Sequence, residues 1–555
     1  MGHTARAETQ SGGSGNSRCR SGSNGGPHYG TGAVFKKIIH AFVALLVGVT
    51  GVVTLVVACS TAAEAQVVFP PPGAAPNIGP TMGTNNNGGD NLPDIGSPAS
   101  TTITTSDEYR LGAQIVRQLR DEKAIMDDPE VTEYLQSLGQ RLAAQAPDTN
   151  QHFTFFPVNE GTINAFALPG GFIGVNYGTV LAARSESELA GVVGHEVAHV
   201  TQRHMARTFH AQSSQGIAQA AAILGAILIG AMTGGQGMEG AIAIAQGAVA
   251  QQQVNFTRAN EYEADRVGIG FVAGAGFDPN GMASFFEAMS RHDGLAGQYV
   301  PEMIQSHPVN SNRIAEARGR AAQYEHPKSN PDSATFECIR ERLRVLTMPK
   351  DPGVAERYAQ DTKNFKGTLG QRYGYALALM QAGKNQDAAK ILSDLVVEHE
   401  NLTLLHSALA QAEVDGGLEN DGIATFAKAN ALFPRNVPLT VRYAQALMKA
   451  NRPKEAHSLL LDLFNNEAPT PDQIQLTALA ASAAGDMGDA YYYMSEYHIA
   501  TGDLQLSLQQ LQLALAAPNI NSVQRQRIQA RMDEIRDYLV QNRIKRVSAQ
   551  QGGGR

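Results

Sequence analysis

Apolar and polar positions change period several times along the chain, and each change predicts an element. Behind Lys36 and Lys37 an almost unbroken apolar run extends from Ala41 to Ala58. Residues 66–105 then lose periodicity and fill with Pro, Gly and Asn, the pattern of a linker or strap. From Ser106 a helical pattern begins, and YLQSLGQRLAAQ (134–145) carries apolar residues at three-to-four spacing. FTFFPVNEGTINAFALPGGFIGVNYG (153–178) is aromatic and β-branched, which predicts strands joined by a tight turn at Pro169-Gly170-Gly171. Ser185 and Glu188 stand three apart, as in a capping box, and open an apolar-periodic helix. Residues 213–250 are rich in Gly, Ala and Ile. They predict a buried helix or a hydrophobic hairpin; a membrane span is the competing reading, although the run falls short of the ~20 residues a bilayer needs.

The last third repeats. Gly383, Gly417, Asn451 and Gly485 are 34 residues apart. Seven positions before each stands Ala376, Ala410, Ala444 or Ala478. Five after stands Ala388, Gly422, Ala456 or Ala490, and nine after stands Leu392, Phe426, Leu460 or Met494. Small residues at fixed offsets permit close helix approach, and the period resembles that of tetratricopeptide repeats. ATGDLQLSLQQLQLALAAP (500–518) predicts a closing helix pair, and a basic helix fading into Gln and Gly follows.

Composition narrows the class. A chain of 555 residues with 17% charged positions, 56 glycines and no tryptophan is multidomain and globular with flexible stretches. The net charge of −8 offers no basic field for nucleic acid, and Cys19, Cys59 and Cys338 do not make a disulfide framework. The apolar run ends in small residues at Ala63-Glu64-Ala65, a cleavage pattern, so residues 34–65 read as a signal peptide cut after Ala65. Two readings compete: a retained anchor, and a lipobox at Val56-Val57-Ala58-Cys59 that makes Cys59 the lipid anchor. Residues 1–33 are unlike any signal peptide and read as a disordered extension, with the true start near Val34.

The chemistry lies in GVVGHEVAHVTQRH (191–204). His195 and His199 are four apart and share a helix face, so both imidazoles can reach one Zn²⁺ at about 2.0–2.1 Å. Glu196 stands beside them; zinc lowers the pKa of a bound water toward about 7, and a neighbouring carboxylate can take its proton. This H-E-x-x-H is the pattern of a zinc hydrolase. His204, extrapolated along the helix, turns about 140° from His199 and reads as structural or surface-facing. A third ligand is available in TRANEYEADRVG (257–268), where Glu261 and Asp265 share a face: Glu261 completes the metal shell and Asp265 takes the N–H of a ligating histidine. The competing reading is a solvated charged face.

HEVAH followed by NEYEAD resembles the M48 family of metallopeptidases, as do NAFALPGGFIGVNYG and SHPVNSNRI (306–314). By the family resemblance that NAFALPGGFIGVNYG carries, an extended substrate would lie along Asn164, Ala165, Phe166, Ala167 and Leu168, adding a strand, with Gly170 and Gly171 allowing close backbone approach. The signal peptide, LPDIGSP, TQRHMAR and the repeats extend the likeness to that family's periplasmic, repeat-bearing members in Gram-negative bacteria. The resemblance implies an α+β zincin-like domain of the gluzincin type, mainly helical with a small sheet, followed by an all-α repeat solenoid. It implies one Zn²⁺ per chain on His195, His199 and Glu261, Glu196 as base, and His307 able to fill the fourth position and hold the enzyme off. Arg313 matches an arginine that stabilises an oxyanion; the alternative is that His307 and Arg313 only pack and pair between helices. It further implies a periplasmic zinc endopeptidase acting on unfolded or misassembled outer-membrane proteins, with the barrel-assembly machinery as partner of the repeats and peripheral membrane association. The rival reading is a chaperone or assembly adaptor with latent proteolysis. The expected organisation is 106–330 protease domain, 331–365 linker helices, 366–520 repeats and 521–555 basic tail.

Overall fold

The computed structural model describes residues 105–146, 151–207, 248–296, 303, 307–325, 332–348, 353–365 and 367–552, all within one compact unit. The expected signal peptide, Cys59, the strap and most of the Gly/Ala/Ile-rich stretch lie outside the described residues. Among the described residues no helix is long and apolar enough to cross a membrane.

Helices α1 (Thr105–Asp121) and α2 (Pro129–Ala143) precede a three-stranded sheet. Asp128 starts α2 by accepting the Val131 N–H at 3.1 Å, with Pro129 supplying a preset φ at the first helical position. The aromatic stretch forms β1 (Thr154–Val158), β2 (Ala165–Leu168) and β3 (Phe172–Asn176) in the order β1-β3-β2. β3 is the fully buried centre, parallel to β1 and antiparallel to β2. That leaves β2 as an edge. The turn into β3 has Gly170 and Gly171 at φ 79° and 88°. A Cβ there would stand 2.4 Å from Tyr109 Cα or 2.0 Å from His152 O. The close approach expected of these glycines is therefore to the chain's own backbone: α1 and the strand leader press on the turn.

After α3 (Tyr177–Ala182), α4 (Glu186–Thr201) runs through the core, buried at nearly every position. Ser185 accepts the Glu188 N–H at 3.2 Å. The return half of the expected capping box is replaced: the Glu188 carboxylate accepts the Arg184 N–H at 2.8 Å and pairs with that residue's guanidinium. α5 (Ala248–Gly274) crosses α4 at two glycines. A Cβ on Gly268 would stand 2.9 Å from Gly194 O, so the backbones touch where only glycine permits it. α6 (Gly281–Ala296) and α7 (Ser311–Ala321) complete the layer.

α8 (Ala334–Thr347) belongs to two cores. Phe336, Ile339 and Leu343 pack into the sheet-bearing half, while Cys338 and Val345 pack into the helices that follow. The expected linker is thus a shared wall. α9 (Gly353–Phe365) leads into α10 (Leu369–Gln381), α11 (Asn385–Glu398), α12 (Thr403–Asp415), α13 (Glu419–Leu432), α14 (Val437–Lys449), α15 (Pro453–Phe464), α16 (Pro471–Ala484) and α17 (Met487–Ala500). Gly383, Gly417, Asn451 and Gly485 sit between partners at φ 74°, 84°, 55° and 86°, so the 34-residue register is a register of left-handed turns. The alanines seven positions earlier are all buried, as are Leu392, Phe426 and Leu460; Met494 is only half-buried. The closing pair expected over 500–518 is one helix, α18 (Leu504–Ala516), and its partner is α19 (Ser522–Gly552).

An ionic knot joins the halves. Arg342 on α8 donates to Asp128 Oδ1 and Oδ2 at 2.8 and 2.7 Å and to Glu130 Oε2 at 3.0 Å. Arg442 on α14 reaches the same Asp128 and Glu130 at 3.0 and 2.9 Å, and the Ser407 hydroxyl donates to Glu130 at 3.2 Å.

Candidate metal centre

The glycine crossing brings the two predicted i, i+4 pairs face to face. His195 Nε2 lies 3.0 Å from His199 Nε2 and 3.3 Å from Glu261 Oε2; His199 Nε2 lies 3.4 Å from Glu261 Oε1. His307, on the loop before α7, adds Nδ1 at 3.3 Å from His195 Nε2 and 3.0 Å from Glu261 Oε1. Donors 2.0–2.1 Å from a central ion in a tetrahedron stand about 3.3–3.4 Å from one another. Three imidazoles and a carboxylate, enclosed and spaced this way, suit one divalent metal.

His195 and Glu261 are held from behind. His195 Nδ1 stands 3.0 Å from Asp265 Oδ1, near enough to pair although the ring is not turned to align a hydrogen bond. Arg313 grips Asp265 through two parallel bonds of 2.8 and 2.7 Å, donates to Pro308 O at 2.9 Å and approaches Glu261 Oε2 at 3.0 Å. It is buried, and those donors are engaged within the protein.

His204 is the residue that spacing along the helix misplaces. It is buried, its Nδ1 lies 2.9 Å from His199 Nδ1, and its Nε2 lies 3.3 Å from Glu263 Oε2, which also accepts from Arg207 at 2.7 Å. The 140° extrapolation fails because α4 ends at Thr201 and Arg203 takes φ 51°, folding the next residue back. An arginine followed by a third histidine gives no signal of that reversal.

Surroundings separate the charges. Burial pushes the Glu196 carboxyl up, partly offset by His307 and His195. Burial would raise Glu261 as well, but His307 and His199 hold it well below the usual carboxylate range. Burial holds His199 neutral, and holds His204 down at about 4. Burial opposes charge on His195 too, yet Asp265 and Glu261 raise it to about 10; an entering cation displaces that proton.

Glu196 faces the other way from the donors' support. It is 1% exposed and takes a backbone N–H from Ala167 on the edge strand. Its Oε1 makes no hydrogen bond and stands 3.6 Å from His307 Nε2. Of the expected substrate strand, Ala165 is buried and Phe166 and Ala167 are half-buried. Asn164 is spent internally: its N–H donates to Thr179 Oγ1 at 2.8 Å and its carbonyl accepts from Thr179 and Asn176.

The sequence profile of peptidase family M48 matches residues 129–321, the span that holds all four donors. A relative from Vibrio cholerae is 32% identical over 80% of this chain and 92% of its own. The chain belongs to peptidase family M48. It is a metalloendopeptidase, and the family's metal dependence fits the donor set. The beta-barrel assembly-enhancing protease of Escherichia coli K12 is 30% identical over 85% of this chain and 96% of its own. The mitochondrial metalloendopeptidase OMA1 of Schizosaccharomyces pombe is 26% identical over 40% of this chain and 60% of its own.

Proposed function

We propose that this chain is an exported, zinc-dependent endopeptidase of the periplasm that degrades misfolded or stalled envelope proteins, and that its helix-pair repeats, of tetratricopeptide type, assist outer-membrane β-barrel assembly. The likeness to the Escherichia coli protein over nearly its whole length supports the setting. The observation that carries the chemistry is Glu196: a buried, raised carboxyl between a four-donor cluster and the edge of β2.

His195, His199 and Glu261 would hold zinc, which when bound acidifies water and polarises a carbonyl. The client lies extended beside β2 and is recognised through its backbone more than its side chains. Glu196 takes the proton of the attacking water at its free Oε1 and returns it to the leaving amine nitrogen. Asp265 orients His195, and Arg313 acts through Asp265 and Glu261 by fixing their carboxylates; with its donors engaged there, we assign it positioning and not oxyanion contact. His307 would fill the fourth position through Nδ1, with its Nε2 3.6 Å from Glu196 Oε1, and the site would then be closed at rest.

That closure supports a second reading, an assembly adaptor whose proteolysis is latent. Zinc content and casein cleavage of the chain from Gln66, compared with Glu196→Gln and His307→Ala, separate them. For the protease, each binds about one zinc, Glu196→Gln is inactive and His307→Ala is faster than wild type. Zinc without cleavage even in His307→Ala would move the function to the repeats.

A further inference from the structure

His199 differs from its partner ligand in what stands behind it. His195 has a carboxylate, Asp265, at its outer nitrogen. His199 has an imidazole, and that imidazole has a carboxylate of its own. With His199 turning Nε2 toward the cluster, its proton sits on Nδ1 and needs an acceptor. His204 Nδ1, 2.9 Å away, accepts only if the proton of His204 is on Nε2, and that N–H points at Glu263 Oε2. The rings meet edge to face at 4.8 Å and 81°. Arg207, donating to the same Glu263 oxygen, and Arg203, 3.2 Å from Glu108 Oε1, pin the reversed turn at both ends.

We propose that His204 is a positioning residue of the metal centre: it fixes the tautomer and ring angle in which His199 offers Nε2, and Glu263 fixes His204 in turn. The inference rests on the zinc reading above. Its effect is on how tightly and in what orientation the metal is held, since His204 bonds to the outer nitrogen of His199. Groups standing behind a ligating histidine typically change metal affinity by 10–100-fold when removed.

The test is zinc affinity, measured by competition with a chromophoric chelator on the full exported chain, with thermal unfolding of the metal-free proteins alongside. His204→Leu removes the acceptor; His204→Asn keeps one, because the amide oxygen reaches the same N–H; Glu263→Ala removes only the outer support. The expected result is roughly a 10–100-fold loss in His204→Leu, recovery of most of it in His204→Asn, and a smaller loss in Glu263→Ala. The metal-free midpoints should match wild type in His204→Asn and Glu263→Ala. Affinity within twofold of wild type in both His204→Leu and Glu263→Ala overturns the inference. So does a lowered metal-free midpoint in His204→Leu whose affinity loss His204→Asn fails to recover, since that is a packing role. A wild type that takes no zinc overturns the metal reading itself, and this inference with it.

Discussion

Glu196 and Glu261 are both buried within one cluster, yet they are driven in opposite directions. Glu261 faces three imidazoles and stays ionised, which suits the proposed ligand; Glu196 has a free oxygen and a raised carboxyl, which suits the proposed base. Replacing Glu196 by Gln keeps the shape and removes the proposed base. Peptide cleavage should fall by about 10²–10⁴-fold while metal content stays at one per chain, checked by metal analysis beside an initial-rate assay. At this scale the sequence is informative wherever spacing sits inside one helix: His195 with His199, and Glu261 with Asp265. It is uninformative where the helix has already ended. Spacing misplaces His204 because Arg203 adopts a left-handed φ that nothing in TQRHMAR announces. Asn164 reads as a substrate contact because it adjoins AFAL, although its main chain is consumed by Thr179 and Asn176.

Helices meet here at glycines, and the catalytic half depends on one such meeting. Gly194 and Gly268 let α4 and α5 touch backbone to backbone, which is what carries Glu261 to His195. In Gly268→Val the helices must part, costing about 1–3 kcal/mol of stability, and metal affinity should fall further than that cost explains. Denaturant unfolding of the metal-free protein, set against chelator competition, reads the two apart. Gly417 between α12 and α13 shows the other use. Its φ of 84° disfavours a β-branched side chain; Gly417→Val should cost about 1–3 kcal/mol while Gly417→Asn is mild, as Asn451 at the same register shows. The 34-residue spacing is enough by itself to make these pairs legible. The sheet is only half legible: aromatic and β-branched runs mark strands, but the parallel pairing of β1 with β3 depends on contacts that no local period encodes.

At the scale of the molecule, the boundary expected between protease and repeats is a wall held in common. α8 serves both cores, and Asp128 and Glu130 at the start of α2 are shared by Arg342 and Arg442. These partners lie more than 200 residues apart in sequence, which is why the knot is invisible from spacing. Arg342→Ala leaves two buried carboxylates with Arg442 as their remaining cation and should cost several kcal/mol, at most the about 3–5 kcal/mol of an uncompensated buried charge, seen as a lowered denaturant midpoint. Burial alone would raise the Asp128 pKa, but Arg342 and Arg442 outweigh it and hold it below its ordinary value. A depressed carboxylate stabilises fully above the unfolded value of about 3.9 and loses that effect as pH falls through the lower folded value. The penalty of Asp128→Asn should therefore be constant at neutral pH and shrink below about pH 4.

A knot of this kind also removes a hinge. Repeats on a flexible neck could swing a captured chain to the cleft; repeats locked to α2 could not. Under the proposed function, a client held on the helix pairs would reach β2 only with its own slack, at no more than about 3.3–3.6 Å for each extended residue. A compact client would have none to give and would leave whole. One that trails a loose segment long enough to bridge the gap would be cut, so under that proposal fixed geometry would make unfoldedness the criterion for destruction.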